Sequence, residues 1–216
     1  NLLIQLLGRD KIYAVEEPGY GKIRMIYAAG GVKCVSARMD AQGVTPEALI
    51  DAQVLHISPS HHFPTGLVTS RERRNELLSW VNERDGRYII EDDYDSEFRF
   101  STHPMPTMHS MDLRGRVIYM NTFSKTLAPS IRISYMVLPT ELMARFQAEL
   151  GFYSCTVPSF EQYTLTRFLR DGHFEKHLNR MRKAYKSRRN AVAAALLESP
   201  FAHRMRLLEQ DAGLHF

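Results

Sequence analysis

The sequence predicts an α/β domain built on a mainly parallel sheet that helices cover on both faces. Short apolar, β-branched runs alternate with amphipathic helical patterns along the first two thirds of the chain, and the connections between them are short. After Pro139 the patterns become helical throughout. Strand–helix–strand order with short connections is typical of parallel sheets with helices on both faces.

Six runs rich in branched and aromatic apolar residues are predicted to be strands. They cover residues 12–15, 32–35, 54–57, 88–90, 117–119 and 133–138. The clearest helix is predicted over residues 69–85, where Thr69 and Glu72 have capping-box spacing and Gly86 follows as a C-terminal cap. Three more helices are predicted over residues 141–151, 159–170 and 174–198, and residues 2–7 have the pattern of the last turns of a buried helix.

The composition is that of a globular protein, with 44% hydrophobic and 24% charged residues among 216. The sequence contains no apolar run of the roughly 18 residues that a membrane span needs. Cys34 and Cys155 are far apart and outside any CxxC pattern, so we expect a reduced, cytoplasmic protein. The basic cluster in residues 167–189 is either a solvated helix face or a surface for nucleic acid or another domain.

Three polar segments follow predicted strands, at the edge where open α/β sheets bind ligands. Carboxylates crowd residues 91–97, which fits a solvated acidic turn, a metal site or a carboxylate that keeps a pyridinium nitrogen protonated. Lys125 lies between two hydroxyl residues and seven residues before Arg132, as an imine site beside a phosphate would require. An ordinary surface lysine would look the same in isolation. Residues 58–66 end in Pro-Thr-Gly and predict a rigid turn.

Two other motifs are set aside. The Gly19-Tyr20-Gly21-Lys22 run lacks the third glycine of a dinucleotide fingerprint and has no Walker spacing. His173 and His177 are four residues apart on a predicted helix, but no third ligand stands at a recognisable spacing. We therefore predict no metal site and interpret both histidines as surface residues.

Taken together and in this order, the segments resemble fold type I of the pyridoxal 5'-phosphate (PLP) enzymes, the aminotransferase fold. They are most similar to the aminotransferase-like domain of the MocR/GabR family of bacterial transcriptional regulators. The resemblance covers nearly the whole chain, and it is carried by residues 17–20, 91–98, 122–125, 131–135 and 177–182. It implies a PLP-binding large domain over residues 1–150, with its N-terminal part missing. Residues 151–216 would form a helical connection to a truncated C-terminal small domain.

The resemblance assigns three residues to the chemistry of the cofactor. Lys125 would form a Schiff base with PLP. Asp92 would pair with the pyridinium nitrogen and so keep the ring an electron sink. Tyr94 would donate a hydrogen bond to the ring hydroxyl.

Three more residues would hold the cofactor in place. Arg132 and Thr122 would bind its phosphate, since the guanidinium fork binds oxygens in pairs. Tyr20 would stack on its ring. The sequence departs from the wider pattern at Phe63, where many aminotransferases have asparagine, and at His62, where the regulators often have glutamine.

The resemblance implies the effector domain of a GntR/MocR-type regulator that senses an amine or amino acid through Lys125. The alternative is a catalytically active aminotransferase of the same fold, and a third possibility is a degenerate domain that binds no cofactor. The parent protein would be a homodimer and would bind DNA through a separate N-terminal domain. The family's phosphate-cradling Gly-Thr-Gln-Gln segment and its carboxylate-binding arginine would lie outside this chain, so we do not expect the fragment alone to transaminate.

Overall fold

The computed structural model describes residues 1–100, 105–208 and 211–215. A seven-stranded sheet has the order β3-β2-β1-β4-β5-β6-β7. Its strands are β1 (Ile12–Glu17), β2 (Lys33–Asp40), β3 (Gly43–Val44), β4 (Val54–Ile57), β5 (Tyr88–Asp92), β6 (Val117–Thr122) and β7 (Ser134–Val137). The five inner strands are parallel, and β3 and β7 pair antiparallel at the two edges. All six predicted strands are present, and the α/β fold class is confirmed.

Eight α-helices accompany these strands within the described ranges. They are α1 (Leu2–Leu7), α2 (Gly21–Ala29), α3 (Arg71–Asn82), α4 (Met108–Met111), α5 (Phe123–Thr126), α6 (Thr140–Leu150), α7 (Ser159–Arg170) and α8 (His173–Leu197). Every predicted helix is present to within a few residues. The sequence did not predict α2, α4 and α5, because α4 and α5 are single turns without a measurable period and α2 follows a glycine-rich turn.

The start of α3 corrects one prediction. Ser70, and not Thr69, is the N-cap, because its side chain accepts a hydrogen bond from the backbone N–H of Arg73 at 3.1 Å. Thr69 is 2% exposed and its backbone N–H is bonded to Pro59, so it lies before the helix. The helix also ends earlier than predicted, at Asn82.

Helices cover both faces of the sheet, as predicted. Alternate residues along each parallel strand belong to two different apolar cores, as the period of two of a strand requires. On one face the strands pack against α3; this core includes Leu55, Ile57, Ile89, Val117, Leu77 and Trp80. On the other face they pack against α1, α2 and α6; this core includes Val15, Val54, Ile90, Ile118, Leu6 and Leu142.

The basic cluster lies mainly on the exposed face of α8. Lys176 and Lys183 are exposed and lie on the side of the helix away from the buried Leu178. Arg182 and Arg189 instead have protein partners: Arg182 donates to the carbonyl of Glu97, and Arg189 donates to the carboxylate of Asp211. The exposed part agrees with a solvated helix face. Among the described residues, none of the helices is both long and apolar enough to cross a membrane.

Candidate functional site

A cavity of about 290 Å³ opens at the carboxyl ends of β1, β4, β5 and β6, where the parallel strands deliver their polar residues to one edge. Four of the six residues assigned by resemblance line it. These four are Lys125, Asp92, Tyr94 and Tyr20. Convergence of residues from three separate segments is the arrangement that a ligand site at this edge requires.

Thr122, the last residue of β6, and Arg132, which follows α5, flank Lys125 in the chain and lie outside the described lining of the cavity. The Thr122 hydroxyl accepts a hydrogen bond from the backbone N–H of Ser124 and so begins α5. Arg132 is exposed and has φ of 53°, the left-handed region that side chains other than glycine rarely adopt. Its side chain has no hydrogen bond or ion pair to any residue the structure describes. An arginine in strained backbone that has no partner among the described residues is available to bind an anion.

Asp92 is supported by a histidine that the sequence analysis did not identify. The Tyr27 hydroxyl and His56 Nδ1 are 2.7 Å apart, and His56 Nε2 lies 3.6 Å from Asp92 Oδ2. Burial raises the pKa of Tyr27, so its hydroxyl stays protonated. His56 Nε2 faces Asp92 and has no hydrogen-bond partner among the described residues. A histidine inside the apolar strand β4 was the sequence signal for this residue.

The Tyr94 hydroxyl already has an acceptor. It donates to the backbone carbonyl of His61 at 2.8 Å. Burial, with Asp95 and Asp92 adding to it, raises the pKa of Tyr94, so the phenol stays protonated. A hydrogen bond from Tyr94 to a cofactor hydroxyl therefore requires the bond to His61 to break; otherwise the tyrosine oxygen can only accept.

The acidic run is not a solvated turn. Glu91, Asp93 and Asp95 are all buried, and each has its own protein donor. Glu91 accepts hydrogen bonds from two backbone N–H groups at the start of α4. Asp93 accepts from the Tyr119 hydroxyl at 2.8 Å, and Asp95 pairs with His61 Nδ1 at 2.8 Å. These carboxylates have structural partners, which leaves Asp92 as the acid of the run that lines the cavity.

His61, Asp95 and His215 also come close enough to hold a metal ion, with one ligand atom of each within 4.8 Å of the others. The two imidazole rings are 3.9 Å apart between centroids with 36° between their planes. Both ring nitrogens of His61 are already used, since Nδ1 pairs with Asp95 Oδ2 at 2.8 Å and Nε2 lies 3.1 Å from the carbonyl of His215. The arrangement fits a hydrogen-bonded His–Asp pair better than a metal centre.

Glu16 is a second residue of the cavity wall that the sequence analysis did not identify. Its Oε2 accepts from the backbone N–H of Ser58 at 3.0 Å, and its Oε1 is buried without a hydrogen-bond partner among the described residues. Burial, with Asp92 adding to it, raises the pKa of Glu16 to about 8. Burial lowers the pKa of His62, and its Nε2 lies 3.7 Å from Glu16 Oε2. Its Nδ1 forms a hydrogen bond with the hydroxyl of Thr65, so His62 supports the turn over residues 58–66. It is not among the residues that line the cavity.

These residues fit PLP. Lys125 supplies a primary amine for an aldehyde, and Asp92 supplies a carboxylate that has no hydrogen bond within the described part of the chain. Tyr20 and Phe63 lie edge to face at 5.8 Å and form an aromatic wall for a planar ring. Arg132 is the cation available for a phosphate. The residues thus offer a partner for the aldehyde, the ring nitrogen, the ring face and the phosphate, whereas Tyr94 is already bonded to the carbonyl of His61.

Comparison with known proteins agrees with this geometry. Residues 1–214 match the family model described as aminotransferase class I and II. The chain is 39% identical to YhdI, an HTH-type transcriptional regulator of Bacillus subtilis (strain 168), over all of the chain and 46% of that protein. It is 36% identical to the probable rhizopine catabolism regulatory protein MocR of Rhizobium meliloti, over 97% of the chain and 42% of that protein.

A solved structure gives the same result for the fold. Pyrococcus horikoshii kynurenine aminotransferase, crystallised in complex with PMP, matches with a TM-score of 0.77 and 30% identity over 91% of this chain and 52% of that one. The chain spans about half the length of the curated relatives it matches. Because the family model covers residues 1–214, the chain belongs to the aminotransferase class I and II family.

Proposed function

We propose that this chain is the PLP-binding, aminotransferase-like effector domain of a GntR/MocR-type transcriptional regulator, and that it detects an amine or amino acid through Lys125. The observation that carries the proposal is the cavity at the carboxyl edge of the sheet, where Lys125, Asp92 and Tyr94 line one space. Relatives at 36% and 39% identity are named as regulators, which supports the regulatory half of the proposal. PMP, with which the solved aminotransferase was crystallised, is the amine form of PLP.

When bound, PLP supplies an aldehyde that reacts with primary amines and a ring that withdraws electrons. Lys125 Nζ is the amine of this chain that would hold it. Asp92 would keep a proton on the ring nitrogen, and His56, whose Nε2 lies 3.6 Å from Asp92 Oδ2, would help to orient the carboxylate. A carboxylate with no other hydrogen bond can take this role without giving up an existing contact.

Three residues would bind and cover the cofactor. Tyr20 would cover the ring from the aromatic wall. Arg132, with the hydroxyl of Thr122, would hold the phosphate. The strained backbone at Arg132 supports this assignment, because strain of this kind persists where function requires it.

The parent protein would work as a cytoplasmic homodimer and bind DNA through a separate N-terminal domain. Exposed aromatic side chains support a protein–protein contact near α7: Phe152, Phe160 and Tyr163 are 75%, 79% and 74% exposed. All residues of α7 are described, and none of them is buried. Large apolar side chains exposed together are typical of interfaces. Sedimentation equilibrium of the parent protein would test the dimer.

The test is reduction of the PLP-loaded protein with borohydride, followed by peptide mapping of the modified lysine. We expect one dominant adduct at Lys125, and its loss in Lys125→Ala. Lys22→Ala is the matched control, because Lys22 lies 6.0 Å from the Tyr20 ring but does not line the cavity. A dominant adduct that persists in Lys125→Ala would refute the assignment.

An active aminotransferase is the second candidate, and the 30% identity to a solved kynurenine aminotransferase favours it. Visible absorption of the PLP-loaded parent protein, recorded with a panel of amino acids and amines, separates the two. Complete conversion to the pyridoxamine form by a common amino acid would indicate a transaminase. A spectrum that shifts with one ligand and then stays constant would indicate a sensor. The intact mass of the parent polypeptide would show whether a DNA-binding domain is present.

A further inference from the structure

Neighbouring residues of the chain fix the start of α5, the helical turn that carries Lys125. The Thr122 hydroxyl accepts from Ser124 N–H, and the Phe123 N–H donates to the carbonyl of Ile133. At the other end, the last carbonyl groups of any helix lack intrahelical donors. In the four-residue turn Phe123–Thr126 the N–H of Leu127 donates back to the carbonyl of Phe123 at 2.9 Å, whereas the carbonyl of Thr126 has no donor within the turn.

A histidine 51 residues further along the chain supplies the missing donor. His177, on α8, places Nε2 3.0 Å from the carbonyl oxygen of Thr126, the residue after Lys125. Its other ring nitrogen, Nδ1, lies 3.3 Å from a guanidinium nitrogen of Arg180. Arginine only donates hydrogen bonds, so Nδ1 must be the acceptor and the ring proton must lie on Nε2. The Arg180 contact thus selects the tautomer that donates to Thr126.

Aromatic packing holds the same part of α8 against the turn. The rings of Phe123 and Phe174 are 5.9 Å apart, and Phe168 lies 6.3 Å from His177. The first contact places α8 beside the turn and the second packs α7 on α8, but ring contacts carry little directional preference at this distance. The last peptide of the turn has two hydrogen bonds: the N–H of Leu127 donates to the carbonyl of Phe123, and the carbonyl of Thr126 accepts from His177, which ties the peptide to α8.

We propose that His177 is a positioning residue for Lys125: by anchoring the carbonyl of Thr126, it directs the lysine amine into the cavity. The inference rests on the proposed function of Lys125. It corrects the interpretation of His177 as an ordinary surface histidine. It also distinguishes His177 from His173 on the same helix, which is exposed and has no hydrogen bond or ion pair among the described residues.

The experiment compares His177→Leu, which removes the donor, with His177→Gln, which keeps a donor near the position of Nε2. His173→Leu is the matched control. The readout is the rate of PLP addition to Lys125, followed by borohydride quench and peptide mass. We expect roughly a tenfold loss in His177→Leu, since misplacing a reactive group by about 1 Å costs up to a hundredfold. We expect substantial recovery in His177→Gln and the wild-type rate in His173→Leu.

Hydrogen exchange of the peptide that contains residues 122–128 separates the possible failures. The amides of the turn should exchange faster in His177→Leu than in His173→Leu, whether or not PLP is present, while the urea midpoint of global unfolding stays the same in both variants. Unchanged exchange, or a wild-type rate of PLP addition in His177→Leu, would overturn the inference. If the wild-type chain forms no adduct at Lys125, the proposed function fails, and the exchange measurement still decides whether His177 anchors the turn.

Discussion

Glu91 and Asp92 are adjacent carboxylates, and the structure predicts opposite results when each is replaced. Glu91 is 0% exposed and accepts hydrogen bonds from the backbone N–H groups of Met108 and His109 at 2.9 and 2.8 Å. Its carboxylate also lies 3.8 Å from the guanidinium of Arg74, which is equally buried. Asp92 is 28% exposed at its side chain and has no hydrogen bond to any described residue.

The magnitude for Glu91→Ala follows from these contacts. Removing one partner of a buried ion pair costs about 3–5 kcal/mol, and hydrogen bonds to a charged group are worth about 1.5–3 kcal/mol each. Burial raises the pKa of Glu91, which means that its charge is disfavoured where it lies. Removing this charge therefore offsets part of the loss. We therefore expect the free energy of unfolding to fall by about 3 kcal/mol. Asp92→Asn should change it by less than about 1 kcal/mol.

The assay is equilibrium unfolding in urea, followed by the fluorescence of Trp80. This is the single tryptophan of the chain, it is 4% exposed, and it lies on α3 where that helix faces the core. PLP binding, measured by absorption, should respond in the opposite way. Asp92→Asn should weaken PLP binding strongly. Glu91→Gln should retain PLP binding under conditions where this variant is folded. A Glu91→Ala protein as stable as wild type, or an Asp92→Asn protein with unchanged PLP affinity, would refute the division of roles.

Three further predictions concern the turn at Arg132, the buried acid and the helix cap. Arg132→Gly should relieve the strain of the left-handed backbone and stabilise the protein by about 1 kcal/mol, while it weakens PLP binding. Arg132→Ala should weaken PLP binding without this gain in stability. Urea unfolding measures the stability of the two variants, and PLP titration measures their binding. Burial raises the pKa of Glu16 in the folded state to about 8, against an ordinary value of 4.5. Between these two values the folded state keeps a proton that the unfolded state has lost. The free energy of unfolding should therefore fall as the pH rises from about 5 to 8. The slope should be at most about 1.4 kcal/mol per pH unit, and Glu16→Gln should flatten it in urea titrations at pH 5.5 and 8. Ser70→Ala should cost about 1 kcal/mol, measured by the urea midpoint, and an effect below 0.3 kcal/mol would contradict the cap assignment.

The sequence by itself determined the fold class and the edge of the sheet at which the site lies. Apolar periodicity is a local property, so six strands and the long helices could be predicted from short windows of residues. Parallel strands place their carboxyl ends together, so Asp92, Tyr94 and Lys125 could be expected to converge although 30 residues separate them. Single turns such as α4 and α5 contain only about one helical period, which is too little for periodicity to identify them.

Only the tertiary structure decided which partner each of these side chains has. Glu91, Asp92 and Asp93 look alike in the sequence, but their roles differ. Glu91 accepts a hydrogen bond from the start of α4, whereas Asp92 lines the cavity. The contact of His177 with Thr126 spans 51 residues, and a sequence pattern carries no information on a pairing at that distance. A hydrogen bond forms or is lost when the distance between donor and acceptor changes by a few tenths of an ångström. Packing of the whole chain sets these distances for residues that come from distant segments.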